Sequence, residues 1–186
     1  MKLVHNNDTT TIEALTLDWV QRVVIGLNLC PFAKAAVKSD HLQLVTEISS
    51  DVAAVLDSLA KQFDAVSGAS EQATVLFVLP NGFEQFDDYL DLVDLGNALI
   101  ADLDFEGVLQ MATFHPHYQF DESDFDDAAN YTNRSPYPML HLLQEVAVEQ
   151  AVDAHPDTDS IPQRNIDLLR AMTAPELNSL ISGEYH

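Results

Sequence analysis

Apolar residues at Ile12, Leu15, Trp19, Val20, Val23, Val24 and Leu27 recur every three or four positions, the spacing of one buried helix face. Thr10-x-x-Glu13 reads as the capping box that opens this helix, and Gly26 with Asn28 as its end. Pro31 suits the first position of a second, short helix over Phe32–Lys38. The period then changes: Leu42, Leu44, Thr46 and Ile48 alternate like a half-exposed strand. Ser50 is placed to cap a helix carrying Val52, Val55, Leu56, Leu59 and Phe63. Thr74–Leu79 is continuously apolar, as a fully buried strand is, and the Pro80-Asn81-Gly82 turn closes it. Glu84–Leu103 reads as an amphipathic helix with an acidic outer face. Val108–Phe114 reads as a strand stopped by His115-Pro116. Helices are expected at about Met139–Val152, Pro162–Met172 and Ala174–Ser182, and Asp121–Asp127 as a solvated loop.

Strands alternating with helices predict an α/β fold. The expected architecture is a small three- or four-stranded sheet with alternating helices and a C-terminal helical segment. The alternative is an α+β arrangement with one antiparallel strand. Residues 1–9 are expected to be a flexible tail and residues 10–186 a single domain. Parallel strands with right-handed crossovers would bring Pro80-Asn81-Gly82 and His115-Pro116-His117 to one edge of the sheet.

Charge changes this picture. The chain carries 30 Asp and Glu against 8 Lys and Arg, a formal net charge of −22. Three stretches hold no acid at all: Trp19–Ser39, Gly107–Phe120 and Ala128–Gln144, which together contain Arg22, Lys34, Lys38 and Arg134. Burial explains the apolar parts of these stretches. It does not explain the polar words His115–Phe120 and Asn130–Tyr137, which have the composition of loops, where so acidic a chain would ordinarily place carboxylates. The expectation is one site built from three distant segments. The overall charge argues against nucleic acid and against an anionic membrane as partners. Met1–Thr10 has no apolar signal region, no run is long enough to cross a bilayer, and one Cys excludes an intrachain disulfide framework; a reducing cytoplasm is expected.

The candidate chemistry lies in those stretches. Cys30, at the N-cap of a helix opened by Pro31 and one turn from Lys34, would have a stabilised thiolate; an inert, buried thiol is the competing expectation. His115 and His117 are candidates for general acid/base work, with His115 preferred because it directly follows a strand. With Cys30 or His141 they could form a zinc-type site, though no Cys-x-x-Cys or His-x-x-x-His spacing supports one. Asn133-Arg134-Ser135-Pro136-Tyr137-Pro138 leads into the expected helix near Pro138. There the guanidinium and the free helix amides would bind an anion, with Asn133, Ser135 and Tyr137 around it and Arg164 as a further cation. Fixing the loop is the equal alternative for Arg134. His141 is expected on an exposed helix face, and Arg22 in an intrahelical pair with Asp18. Phosphate-cradling glycine motifs, the serine-hydrolase elbow and His-Glu-x-x-His are absent.

Trp19-Val20 with Val24-Ile25-Gly26-Leu27-Asn28-Leu29-Cys30-Pro31-Phe32-Ala33, Phe114-His115-Pro116-x-Tyr118-Gln119-Phe120, and Thr132–Leu143 together resemble a bacterial family, domain of unknown function 1415. The resemblance spans about Trp19 to Arg170. It implies a stand-alone bacterial cytoplasmic protein of this size and brings no activity, cofactor or catalytic residue. From the residues, the leading expectation is a small enzyme acting on an anionic metabolite, the cofactor unknown. Arg134 would hold the anion, His115 or His117 would move the proton, and Cys30 would serve as nucleophile or pocket wall. A non-catalytic ligand- or partner-binding protein is the alternative, and a metal-dependent enzyme using His115 and His117 the third reading.

Overall fold

The computed structural model describes residues 8–70 and 72–182. Most of the expected N-terminal tail, residues 1–7, therefore lies outside the described residues. Helix α1 (Thr9–Trp19) is capped by Asp8, whose carboxylate accepts from the Thr10 N–H at 3.3 Å and the Thr11 hydroxyl at 2.9 Å. The cap thus precedes the expected Thr10 box, and Glu13 is left to accept a 3.4 Å bond from the Thr46 hydroxyl. Arg22 pairs with Asp18 at 2.9 Å along the helix.

Beyond Trp19 the helix widens into a π-helical turn, Val20–Ile25. The Gly26 and Leu29 N–H groups reach back five residues, to the carbonyls of Gln21 and Val24, at 3.0 and 2.9 Å. Only glycine fits at 26, because a Cβ there would collide with the Arg22 carbonyl oxygen. The chain turns over at Asn28, whose φ of 54° suits the short polar side chain. Helix α2 (Ala33–Lys38) follows.

The sheet is mixed. Strands β1 (Leu42–Thr46), β2 (Thr74–Val78), β3 (Leu109–Phe114) and β4 (Met139–Gln144) lie in the order β1-β2-β4-β3. β1 and β2 are parallel, and β4 runs antiparallel between β2 and β3. The domain is α/β, with one antiparallel strand. That strand overturns the helix expected from Met139: β4 occupies its first half, and the helix α5 (Glu145–Ala154) begins only after it. The physical cause is its central position. With neighbours on both sides, and with apolar Met139 and Leu143 on its cleft-side face as well as Leu140 and Leu142 on the packed face, β4 reads as Met-Leu-His-Leu-Leu-Gln, without the alternation that marks a half-exposed strand.

One face of the sheet packs against α3 (Val52–Ser67, capped by Asp51) and α4 (Phe86–Asp102). Val75, Phe77, Leu140 and Leu142 meet Val55, Leu59, Phe63, Tyr89 and Leu92 there. On the other face Leu76, Val78 and Met139 meet Ile12, Trp19, Val20 and Val23, together with Leu169 of α6 (Ile161–Arg170) and Leu177 and Leu180 of α7 (Ala174–Ser182). This second layer covers only part of its face; the remainder is an open cleft. Among the described residues no helix is long and apolar enough to cross a membrane.

Candidate functional site

The sequence-derived residues fall in two places. The first is a polar knot at the edge of the sheet where β2 and β3 end and β4 begins. His115 directly follows β3 and is fully buried. Its Nδ1 accepts from the His117 backbone N–H at 2.9 Å, so the ring proton sits on Nε2, which donates to the Phe83 carbonyl at 2.9 Å. Burial pushes the imidazole pKa down to about 4, against the opposing pull of the Phe83 carbonyl. An imidazole with both nitrogens occupied, neutral at physiological pH and out of contact with solvent is a structural group. The expected acid/base role for His115 therefore finds no geometry here. His117 is exposed, and its ring lies edge-on to those of His115 and Phe125.

Asn133, Arg134, Ser135 and Tyr137 serve the same knot. Asn133 accepts from the His115 N–H through its carbonyl and donates from Nδ2 to the Thr113 carbonyl. Arg134 is 6% exposed. Its Nε donates to the Tyr118 carbonyl at 3.1 Å and an Nη to the Phe125 carbonyl at 2.7 Å, and the guanidinium lies 4.7 and 4.5 Å from the ring centres of Phe125 and Tyr131. Among the described residues it has no carboxylate partner. Backbone carbonyls and two π faces compensate its charge, which fixes the loop and leaves the group turned away from any ligand. Ser135 is buried and donates to the Tyr137 carbonyl at 2.6 Å; burial pushes the Tyr137 phenol pKa up. Because Met139 opens a strand, the helix N-terminus expected to share an anion with Arg134 does not exist. Sequence reasoning missed the groups that organise the knot. Tyr89 donates to the Met139 carbonyl and accepts from the Phe114 N–H, and Asn130 is fully buried with its amide bonded to the Asp124 and Phe125 carbonyls. Tyr89 lies in no motif that could have marked it, whereas Asn130 opens the polar word Asn130–Tyr137 without having been given a role.

Arg164 also acts as a brace. It donates to the Asn28 carbonyl, while the neighbouring Asn165 donates to the Leu29 carbonyl at 2.8 Å. The two hold the Asn28–Leu29 turn against α6 and so fix the position of Cys30. The expected capping geometry at Cys30 is not formed: α2 begins at Ala33, three residues later, and Phe32 is its N-cap. The thiol does not sit at a helix N-terminus, but it does line the second place.

That place is a cleft of about 740 Å³ on the partly covered face of the sheet. Its floor is Thr74 and Leu76 of β2, Gln110, Ala112 and Phe114 of β3, and His141 and Leu143 of β4. Its walls are Trp19, Val20 and Val24 on one side, the Cys30–Ala36 segment next to them, and Ala147, Val148 and Ala151 of α5 opposite. Phe32 meets His155 edge-on, ring centres 5.7 Å apart, joining the start of α2 to the end of α5. All three acid-free stretches contribute to the lining, and no Asp, Glu, Lys or Arg lines it. His141, expected on an exposed helix, instead stands on the floor, in register with Leu76 and Ala112. Thr74 Oγ1 donates its proton to the Leu142 carbonyl, so His141 Nε2 must donate to Thr74 Oγ1, at 2.7 Å, and Nδ1 keeps its lone pair. Burial among apolar groups pushes the His141 pKa down to about 4.

His115, His117, Cys30 and His141 therefore do not assemble into a metal site, and among the described residues no cluster of three His, Cys, Asp or Glu could hold an ion. The family model for a protein of unknown function, DUF1415, matches residues 11–179. The chain belongs to the DUF1415 family. No curated protein and no solved structure matches it. DUF1415 membership thus covers both the knot and the cleft, and assigns a reaction to neither.

Proposed function

We propose that this protein binds a small, predominantly apolar molecule in the cleft between β4, α2 and α5. The observation that carries the reading is the lining itself: about 740 Å³ without one Asp, Glu, Lys or Arg, in a chain of net charge −22. That volume lies within the range of small-molecule sites, roughly 300–1,000 Å³, which are mostly apolar with a few placed polar groups. The two short helices agree. Neither α2 nor α5 has a fully buried residue, because the apolar faces of Ala33 and Ala36, and of Ala147, Val148 and Ala151, look onto the cleft rather than onto a packed core. Apolar surface left facing water in this way is an unrealised hydrophobic gain that a ligand would supply. An anionic metabolite held by Arg134 has less support, since that guanidinium is committed to carbonyls and rings. We place this activity in the bacterial cytoplasm, where a single unpaired thiol in the cleft wall would stay reduced.

Nile red, a neutral apolar dye, tests the proposal. Wild-type protein should bind it saturably at one site, and Ala147→Trp, which fills the cleft from α5, should weaken binding at least about tenfold, equivalent to ~1.4 kcal/mol. Absence of saturable binding, or equal binding by the variant, would overturn the reading.

A further inference from the structure

We infer that the outer edge of β3 is a docking surface for a second copy of this chain, paired antiparallel about Met111. β3 ends the sheet on one side, so no further strand covers its outer backbone groups. The Glu145 N–H donates to the Val108 carbonyl at 2.9 Å, in register with the β3–β4 ladder. Bonded and non-bonded pairs alternate along an antiparallel ladder, so the even-numbered residues of β3 bond to β4 and the odd-numbered ones turn outward. Leu109, Met111 and Thr113 therefore present their N–H and C=O groups along the edge.

Two of these six groups are already used. The Leu109 N–H donates to the Phe105 carbonyl at 3.0 Å, and the Thr113 carbonyl accepts from Asn133 Nδ2 at 3.0 Å. The other four have no hydrogen-bond partner among the described residues: the Leu109 carbonyl, both groups of Met111, and the Thr113 N–H. An open depression of about 420 Å³, between Asn97 and Ile100 of α4 and Leu109, Gln110 and Met111 of β3, lies beside this stretch.

Read along the edge, the four groups run acceptor, donor, acceptor, donor. A twofold axis through Met111 turns that order into its own complement. The Met111 groups of the two copies bond to each other, and each Leu109 carbonyl accepts from the Thr113 N–H of the other copy. The two groups already used fall opposite one another, so the pairing leaves none orphaned. An unrelated extended peptide would bring an unmatched N–H and C=O to those same two places. That match selects a second copy, in a symmetric, self-complementary contact.

Charge favours the same edge. Residues 107–120 hold no Asp, Glu, Lys or Arg, and β3 carries neither the Lys nor the Pro that commonly guards an exposed edge strand. Glu106 and Glu145 lie past the end of the proposed ladder. The other edge strand, β1, is bracketed by Asp40 and Glu47, with Glu13 bonded at Thr46. Two copies of a chain of net charge −22 meeting there would crowd carboxylates together. Pairing through β3 would place both clefts on one face of a continuous sheet, with Gln110 of each cleft floor opposite Ala112 of the other copy.

Sedimentation equilibrium over a concentration series tests the inference, and amide exchange in deuterium oxide locates the contact. The wild-type chain should form a dimer, in which the Met111 and Thr113 amides exchange slowly and become fast on dilution. Thr113→Pro removes an outward N–H that the β3–β4 ladder does not use, and should give a folded monomer. Gln110→Glu alters an exposed side chain and sets two carboxylates diagonally across the axis. It should weaken the dimer by at least about threefold, an effect that added salt removes. A monomer at every concentration would overturn the inference. So would a dimer whose Met111 and Thr113 amides exchange fast, or one that Gln110→Glu leaves as tight as wild type.

Discussion

At the residue scale the two conspicuous histidines exchange the roles their neighbours suggested. His115 sits in the more unusual word and proves structural; His141, inside an apolar run, faces the cleft. The pKa of the buried His115 is depressed in the folded state, so between pH 6.5 and about 4 the unfolded chain binds a proton that the folded one refuses. This contribution to stability is complete above pH 6.5 and is lost as the pH falls toward 4. His115→Leu leaves the Phe83 carbonyl and the His117 N–H without partners, and should cost about 2–4 kcal/mol at pH 7. The gap between wild type and variant should then narrow by up to about 3 kcal/mol toward pH 4, because only the wild type carries the linked proton there. Urea unfolding at several pH values measures both. A gap that is constant or widens in acid would refute the buried neutral imidazole. His141 titrates in the same window, but it is present in both proteins and cancels.

Among the elements, legibility tracked the environment that each one meets. α7 spans Ala174–Ser182 as expected, and β2 lies in the expected continuously apolar run, buried at every position. The first strand and α4 differ from expectation only at their ends. β4 could not be read as a strand, since apolar side chains stand on its cleft-side face as well as its packed face and the run loses its period. With it went the supposed helix terminus at Pro138, and so the anion site. The caps slipped for a simpler reason: Asp8 stands two residues before Thr10 and Asp51 one residue after Ser50, the residues favoured by pattern, and a carboxylate serves as well there. The π-helical turn has no sequence signature beyond Gly26, whose necessity comes from the Arg22 carbonyl behind it. Gly26→Ala should therefore destabilise the fold by about 1–3 kcal/mol, lowering the melting temperature by several degrees, and should weaken Nile red binding by displacing Trp19, Val20 and Val24. A melting temperature equal to that of wild type would show that the turn relaxes freely.

For the whole molecule, charge gave the truest indication. The acid-free stretches, separated along the chain by residues 40–106 and 121–127, contribute three adjoining parts of one lining: Trp19 to Ser39 the near wall, Gln110 to Phe114 one strip of floor, and His141 to Gln144 the next. What the sequence could not reveal is which atoms look inward. The polar words that seemed to promise chemistry, His115-Pro116-His117 and Asn133-Arg134-Ser135, fold onto their own backbone, because a loop at the end of a buried sheet must satisfy its own carbonyls and amides. The plain alanines and valines beside them form the cavity. The most direct measurement of the central claim is a crystal of the wild-type protein soaked with a bromoalkane, read by the anomalous signal of bromine. A peak between the β4 floor at His141 and Leu143 and the α5 wall at Ala147 and Ala151 is the predicted result. Bromine bound only elsewhere on the molecule, with the cleft holding none, would contradict it.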